Sequence, residues 1–599
     1  MPTSIDKARY SRESFRSQAE ALLALIRQHA DVRSARTSLY KQVTDYQLDI
    51  NLESRFPSHR DAVLVRDCAR AWRGMLRKST DHRIGFSVIA ALWDIAHDLP
   101  RPELGPGFYA EMIHLFHGIE GRATWDTPYH NAVDGSLHGR EAAVHRSEVL
   151  DRMWGRVSTD INRYPDGLSD EARARRKARR ERILRQLHAS PDDWLDWHWQ
   201  VRYLVRSEDE LAALAVVTEQ ERAGVRSAVA AGIPFGITPY YLSLFDDDPE
   251  SRRDTAVRAQ VLPPASYVRE MEAHHGSREH AFDFMLEHDT SPVDLVTRRY
   301  PAIAILKPFN TCPQICVYCQ RNWQIDEAMS AHALAAPERI EAACQWIEAH
   351  PAITEVLLTG GDPLALTDGP LERVLRRLTR IASLDLIRIG TRVPVTMPMR
   401  ITEQLTALLG SLRSPGRREV CLVTHIEHPY EVTPEFLEAV DRLRRQGMSV
   451  YNQLVFTFYV SRRFEAARLR LLLRRCGVDP YYTFVPKGKE ETRSYRVPLA
   501  RLMQEQQEES RILPGLRRTD EVVYNVPGLG KNHLRAIQQR DVVSVLPDGA
   551  RVYEFHPWDK QLVKRDSYLG TDIPIYEYLC RLAAAGENPD DYSTIWYYF

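Results

Sequence analysis

The sequence predicts an α/β protein, a full or partial parallel α/β barrel behind a large helical N-terminal region. Three observations predict it. After Thr297, short apolar runs alternate with longer amphipathic segments. About six such units follow one another, and strand–helix alternation at that spacing implies a parallel sheet. Upstream, apolar residues recur at helical spacing.

Residues 1–190 read as a helical extension. Gln18–His29 (QAEALLALIRQH) and Phe86–His97 (FSVIAALWDIAH) carry the helical period. The basic run Arg173–Arg182 reads as a solvated helix face, because Asp170, Glu171 and Glu181 lie in or beside it. Residues 191–295 are again helical, with turns at Pro234, Pro239 and Pro249. Residues 296–545 form the barrel. Its strands are expected at Ile303–Lys307, Glu355–Thr359, Leu386–Gly390, Val420–Thr424, Val450–Phe456 and Tyr481–Val485. Helices are expected at Pro337–His350, Gly369–Ile381, Pro434–Gly447 and Arg462–Cys476. Chemistry in such a barrel sits at the C-terminal ends of the strands. Residues 546–599 form a small C-terminal extension whose aromatic end, Trp596–Phe599, reads as a docking surface.

Composition narrows the function. Lys plus Arg number 80 and Asp plus Glu 81, a net charge of −1, so no basic surplus points to nucleic acid. No apolar run is long enough for a membrane span. Met1–Leu25 has no secretory signal pattern, and a cytoplasmic location is expected. Eight cysteines in 599 residues do not make a disulfide scaffold.

Three of those cysteines stand together. Cys312, Cys316 and Cys319 follow the strand at Ile303–Lys307 directly. Thiolates so close can ligate soft metals. A structural zinc needs a fourth ligand, and no further Cys or His is near. Four-iron clusters usually take four Cys, so three leave one iron open. Such a vacancy suits S-adenosylmethionine (SAM). The next strand ends in Thr359-Gly360-Gly361-Asp362-Pro363, and a glycine pair there admits a ligand close to the backbone. A third motif, Pro527-Gly528-Leu529-Gly530-Lys531, lacks the spacing of a Walker A loop. Its lysine is either an exposed turn residue or a Schiff-base lysine for pyridoxal phosphate (PLP).

Residues from about Trp194 to Lys531 resemble the lysine 2,3-aminomutase family, radical SAM enzymes that also use PLP. The segments that carry the resemblance stand in order: WLDWHWQVR from Trp194, ITPYYLSL from Ile237, DTSPVDLVTRRYP from Asp289, the cysteine loop, and EVLLTGGDP from Glu355. IRIGTRVPVTMPMRIT from Ile387, HPYEVTP from His428, Asn452-Gln453 and DPYY from Asp479 complete the series. The resemblance implies a partial (β/α)6-type radical SAM barrel. It implies that Cys312, Cys316 and Cys319 hold a 4Fe-4S cluster. It assigns SAM to Arg321, Gly360, Gly361, Asp362, His428 and Gln453, and PLP to Lys531 and Arg299. The family's second phosphate arginine falls on Ile303, and Lys307 or Arg298 is the candidate replacement. The family's zinc cysteines have no counterpart in the tail, and the first 190 residues lie outside its usual extent.

The implied reaction is an aminomutase isomerisation that moves the α-amino group of an amino acid to its β-carbon. It is started by a 5′-deoxyadenosyl radical from SAM and fed by an external flavodoxin- or ferredoxin-type electron donor. A homo-oligomer is expected. The alternatives are another outcome on the same scaffold, such as deamination or action on another amino-acid-like or peptide substrate, or a non-catalytic iron–sulfur or scaffold protein. Two aspartates that grip the distal ammonium of lysine in the family fall here on Lys487 and Tyr524, with Asn525 beside it. The substrate is therefore expected to carry an anionic or neutral far end. Glutamate leads, with Lys487 and Arg493 receiving its carboxylate.

Overall fold

The computed structural model describes residues 5, 7–52, 59–123, 135–274, 276, 281–486, 490–536, 540–556 and 567–599. Nine strands in chain order build one sheet: β1 Val296–Thr297, β2 Ile303–Phe309, β3 Glu355–Gly360, β4 Leu386–Gly390, β5 Glu419–Thr424, β6 Ser449–Val455, β7 Asp479–Phe484, β8 Glu521–Val526 and β9 Gly530–His533. Their order in the sheet is their order in the chain. From β2 to β8 every pairing is parallel, while β1 and β9 close the two edges antiparallel. Parallel neighbours need crossovers. Here those crossovers carry helices Pro337–Glu348, Asp368–Thr379, Glu403–Ser411, Pro434–Arg445, Glu465–Arg475 and Leu499–Ile512. Thr433 shows how one starts: its hydroxyl accepts from Phe436 N, and Pro434 fills the first helical position.

The sheet therefore has one more parallel strand than the six expected. β8 follows the long helix Leu499–Ile512, and its sequence EVVYNV lies between two segments of mixed pattern. Burial alternates along β3, β4 and β6. Val356, Leu358, Ile387, Ile389, Val450 and Leu454 are buried, while Leu357, Thr359, Arg388, Gln453 and Val455 line a cavity on the other face. This two-residue period selects which side chains reach the site.

A second sheet, β10 Arg540–Val545, β11 Arg551–Phe555 and β12 Tyr568–Thr571, is antiparallel. β10, placed with the barrel in the sequence, thus belongs to the C-terminal unit. That unit packs on the N-terminal helices. Arg551 Nε donates to both Glu111 oxygens at 3.1 and 3.0 Å, and its Nη2 donates to Trp596 O at 2.6 Å. The Trp596 ring stacks on His114 at 4.7 Å and 7°. The aromatic tail is thus docked on the chain's own helix Pro106–Ile119.

The basic run of helix Asp170–Gln186 corrects its sequence reading. Arg179 is 2% exposed, and its guanidinium donates to Ser243 O at 2.8 Å and Tyr430 OH at 3.2 Å. Arg176 pairs with Glu435 at 2.7 Å. This face is a seam against the barrel, and the three-residue spacing of Arg176 and Arg179 turns both inward on one side of the helix. Among the described residues, no helix is long and apolar enough to cross a membrane.

Candidate active site

A cavity of about 310 Å³ opens at the C-terminal ends of the parallel strands. Cys312, Cys316 and Cys319, on the loop after β2, form one wall. Burial pushes the Cys316 thiol up to about 11 and Cys312 further, so thiolates here need a cation beside them. One is present: Arg392 Nη1 stands 2.8 Å from Cys316 Sγ. Three cysteines of one loop bordering the cavity are the donor set that a cluster with an open iron takes.

The glycine pair after β3 has a definite partner. A Cβ on Gly361 would lie 2.0 Å from Thr311 O, and Gly360 holds φ at +116°. Bare backbone is what lets the cysteine loop lie against this turn. Asp362 then ties the ends of β3 and β4 together. Its carboxylate accepts from Thr391 Oγ1 and Arg392 N, both at 2.7 Å, and from Val393 N and Leu364 N, both at 3.1 Å. Its oxygens are thereby committed to protein donors, although it borders the cavity.

Arg321 lines the cavity, and its guanidinium pairs with Glu287. Arg299 and Lys307 reach the same carboxylate at 3.3 and 3.1 Å. Burial alone would raise Glu287, but the three cations hold it below the usual carboxylate range. Lys307 thus joins Arg299 in a cationic cluster, while Arg298 turns outward and donates to Pro301 O.

Lys531 lies on edge strand β9 opposite Asn525. Its Nζ donates to Tyr482 OH at 3.2 Å, with the Tyr300 ring 5.4 Å away. Burial lowers its amine to about 8, and Arg388 and Arg299 push the same way. An amine so placed is partly neutral near pH 7–8, as a Schiff-base lysine must be. Arg388, itself on the cavity wall, pairs with Glu355 and donates to Tyr481 OH.

Gln453 and Asn525 face the cavity as well. Other expected site residues do not. His428 is fully buried, with Nδ1 accepting from Tyr430 N at 3.1 Å and Nε2 lying 3.1 Å from Glu465. His425, three residues earlier and directly past β5, is the histidine that lines the cavity. Tyr524 points to the opposite face of β8 and stacks on Phe555 at 5.1 Å and 29°. Arg493 pairs with Glu577 at 2.9 Å on the surface. Lys487 lies outside the described residues. Arg392, Glu287, Arg388 and Tyr482 were missed in the sequence, where single residues in strands or turns carry no spacing signal.

Residues 306–465 match the radical SAM superfamily. A KamA family protein of Methanocaldococcus jannaschii, of uncharacterized function, is 40% identical over 596 residues, covering 96% of this chain and 95% of that one. The N-terminal helical region is therefore shared with that relative. An L-lysine 2,3-aminomutase of Acetoanaerobium sticklandii is 33% identical over 52% of this chain and 72% of its own. A glutamate 2,3-aminomutase of Clostridioides difficile is 31% identical over 59% and 78% respectively. With a full-length relative and a superfamily core that contains the three cysteines, this chain belongs to the KamA family of radical SAM proteins, a family that implies a 4Fe-4S cluster and SAM.

Proposed function

We propose that the protein is a SAM- and PLP-dependent amino-acid 2,3-aminomutase whose substrate has an anionic or neutral far end, with glutamate the leading candidate. The observation that carries the substrate reading is Asn525. It is the cavity-facing residue of β8, and Asp362 is the one acid among the described residues lining the cavity. Asp362 is already filled by four protein donors. An ammonium at the far end of lysine would find no free carboxylate there. Leaving a buried charge unpaired costs roughly 3–5 kcal/mol, at least about two decades of affinity at ~1.4 kcal/mol per decade.

When bound, SAM supplies the radical that removes a hydrogen from the substrate, and PLP carries the migrating nitrogen. The chain's residues divide the remaining work. Cys312, Cys316 and Cys319 hold the cluster, and the Gly360–Gly361 backbone, Arg321, His425 and Gln453 surround the place left for SAM. Lys531 is the attachment point for PLP, and Arg299 with Lys307 receives its phosphate. The inward faces of β3 to β8 keep this chemistry off solvent, as a radical demands. A one-electron donor of flavodoxin or ferredoxin type completes the requirement.

The test is turnover by the anaerobically reconstituted protein of glutamate, aspartate, glutamine, arginine and lysine, with β-amino products scored by mass spectrometry. Conversion of glutamate to its β-isomer is expected. A preference for lysine, or no β-amino product from any of the five, would overturn the reading.

A further inference from the structure

Arg392 is a buried cation pressed against a cluster ligand. It follows β4 directly, at the start of the short helix Val393–Thr396. Its backbone N–H is held by Asp362 Oδ2 at 2.7 Å, in the turn that seats the cysteine loop. Its guanidinium is fixed on every side. Nη1 reaches Cys316 Sγ at 2.8 Å, Nε donates to His425 O at 3.1 Å, and Nη2 donates to Glu431 Oε1 at 2.6 Å and to Gln260. Glu431 is fixed in turn. Its Oε2 accepts from the backbone N–H of Glu427 at 2.8 Å and His428 at 3.0 Å, and its Oε1 accepts from Tyr241 OH at 2.7 Å. Glu431 is fully buried.

We infer that Arg392 is a positioning residue for the cluster, which sets its reduction potential by donating a charged hydrogen bond to Cys316, with Glu431 as the counter-charge that limits the effect. Reduction adds one electron and no proton to the cluster. A cation in contact with a ligand sulfur stabilises that extra negative charge, and hydrogen bonds to cluster sulfurs are a principal control of cluster potential. A charged donor is roughly twice as strong as a neutral one. The ladder Glu431–Arg392–Cys316 therefore has a built-in sign. Removing the arginine's charge lowers the potential, and removing the glutamate's raises it. The inference rests on the family's cluster and not on the aminomutase reading, so a failed turnover assay leaves it standing.

The experiment is a dye-mediated redox titration of the reconstituted cluster without SAM or substrate, followed by electron paramagnetic resonance of the reduced state. Arg392→Gln, with iron and sulfide content equal to wild type, is expected to show a reduced-to-oxidised ratio at least tenfold lower at the wild-type midpoint. For a one-electron couple that is a downward shift of about 59 mV or more. Glu431→Gln is expected to shift upward. A merely structural role would move both variants in one direction. An unchanged midpoint in Arg392→Gln, or shifts of the same sign, overturns the inference. If Arg392→Gln takes up no iron, the sign of the Glu431→Gln shift decides alone, and anything but an upward shift refutes it.

Discussion

Lys531 Nζ donates to the Tyr482 hydroxyl at 3.2 Å while lying 4.3 Å from the centre of the same ring. The ammonium thus has one neutral acceptor and the rings of Tyr482 and Tyr300 beside it, with Arg388 and Arg299 as its charged neighbours. No carboxylate is among the groups that set its titration, which is why burial wins and the amine falls to about 8.

The first prediction concerns that amine. The unfolded lysine titrates near 10.5 and the native one near 8, so between these values the unfolded state holds more protons. Stability of the apoprotein therefore rises with pH across that window. Lys531→Met removes the penalty, a gain of ~2–3 kcal/mol at pH 7 after loss of the Tyr482 hydrogen bond. Thermal unfolding at pH 7 and pH 10 checks this: the variant melts higher at pH 7, and the gap closes at pH 10. Borohydride applied to PLP-loaded wild type fixes the label on the peptide containing Lys531. A label on another lysine would remove it from the site.

The second prediction separates the glycine pair from the cluster ligands. Ala at 361 places a Cβ 2.0 Å from Thr311 O and 2.4 Å from Thr311 N. Backbone has to move, and Cys312 is the next residue. Gly361→Ala is expected to lose most of its iron with all three cysteines intact. Gly369→Ala is the control, since its Cβ meets only Arg373 at 3.8 Å. Full iron content in Gly361→Ala would show that the loop can shift without cost.

Local spacing made the cysteine loop and the glycine turn legible in the sequence, because every residue that matters lies within one turn. Facing is a different matter. His425 and His428 share the loop after β5, and only the path of the backbone decides that His425 opens to the cavity while His428 caps the next turn. Tyr524 and Asn525 are neighbours on β8, so an offset of one residue exchanges cavity for packing face. The arginine run at 173–182 misled for a related reason. Its acidic neighbours describe the solvent face, whereas Arg176 and Arg179 are matched by Glu435, Ser243 and Tyr430, far away in sequence. Glu287 gave no signal at all, because its three cationic partners come from two other segments.

The third prediction tests that seam. Arg179→Ala removes donors from Ser243 O and Tyr430 OH and leaves both buried acceptors without the guanidinium. Hydrogen bonds from charged groups contribute ~1.5–3 kcal/mol each, so the loss of two is expected to cost about 3 kcal/mol or more. Arg173→Ala, at a side chain 57% exposed and paired among the described residues with Asp170 alone, at 3.5 Å, is expected to change stability by under ~0.5 kcal/mol. Thermal unfolding of the two variants checks the contrast. Equal melting would mean that the N-terminal helix is not anchored through Arg179.

The last prediction concerns the substrate's far end. Asn525 faces the cavity from β8 and pairs in register with Lys531, which places it beside the lysine proposed to hold PLP. A neutral amide there donates and accepts equally, and it tolerates a carboxylate or an amide on the substrate. Arg388 and Arg392 on the opposite wall are each paired with a carboxylate, Glu355 and Glu431, and Asp362 has no free lone pair, so among the described residues the wall offers no unpaired anion. Asn525→Asp puts a full negative charge in that wall without changing its size. An anionic substrate then meets like charge in a low-dielectric cavity, and a cationic one gains a partner it lacked. At ~1.4 kcal/mol per decade, even half of the 3–5 kcal/mol attached to a buried pair moves the ratio of glutamate to lysine turnover at least tenfold toward lysine. The measurement is kcat/KM for both amino acids in wild type and variant, with iron content and PLP loading matched so that only the pocket differs. If the ratio stays where it was, the far end of the substrate does not reach Asn525, and the specificity pocket lies elsewhere on the cavity wall.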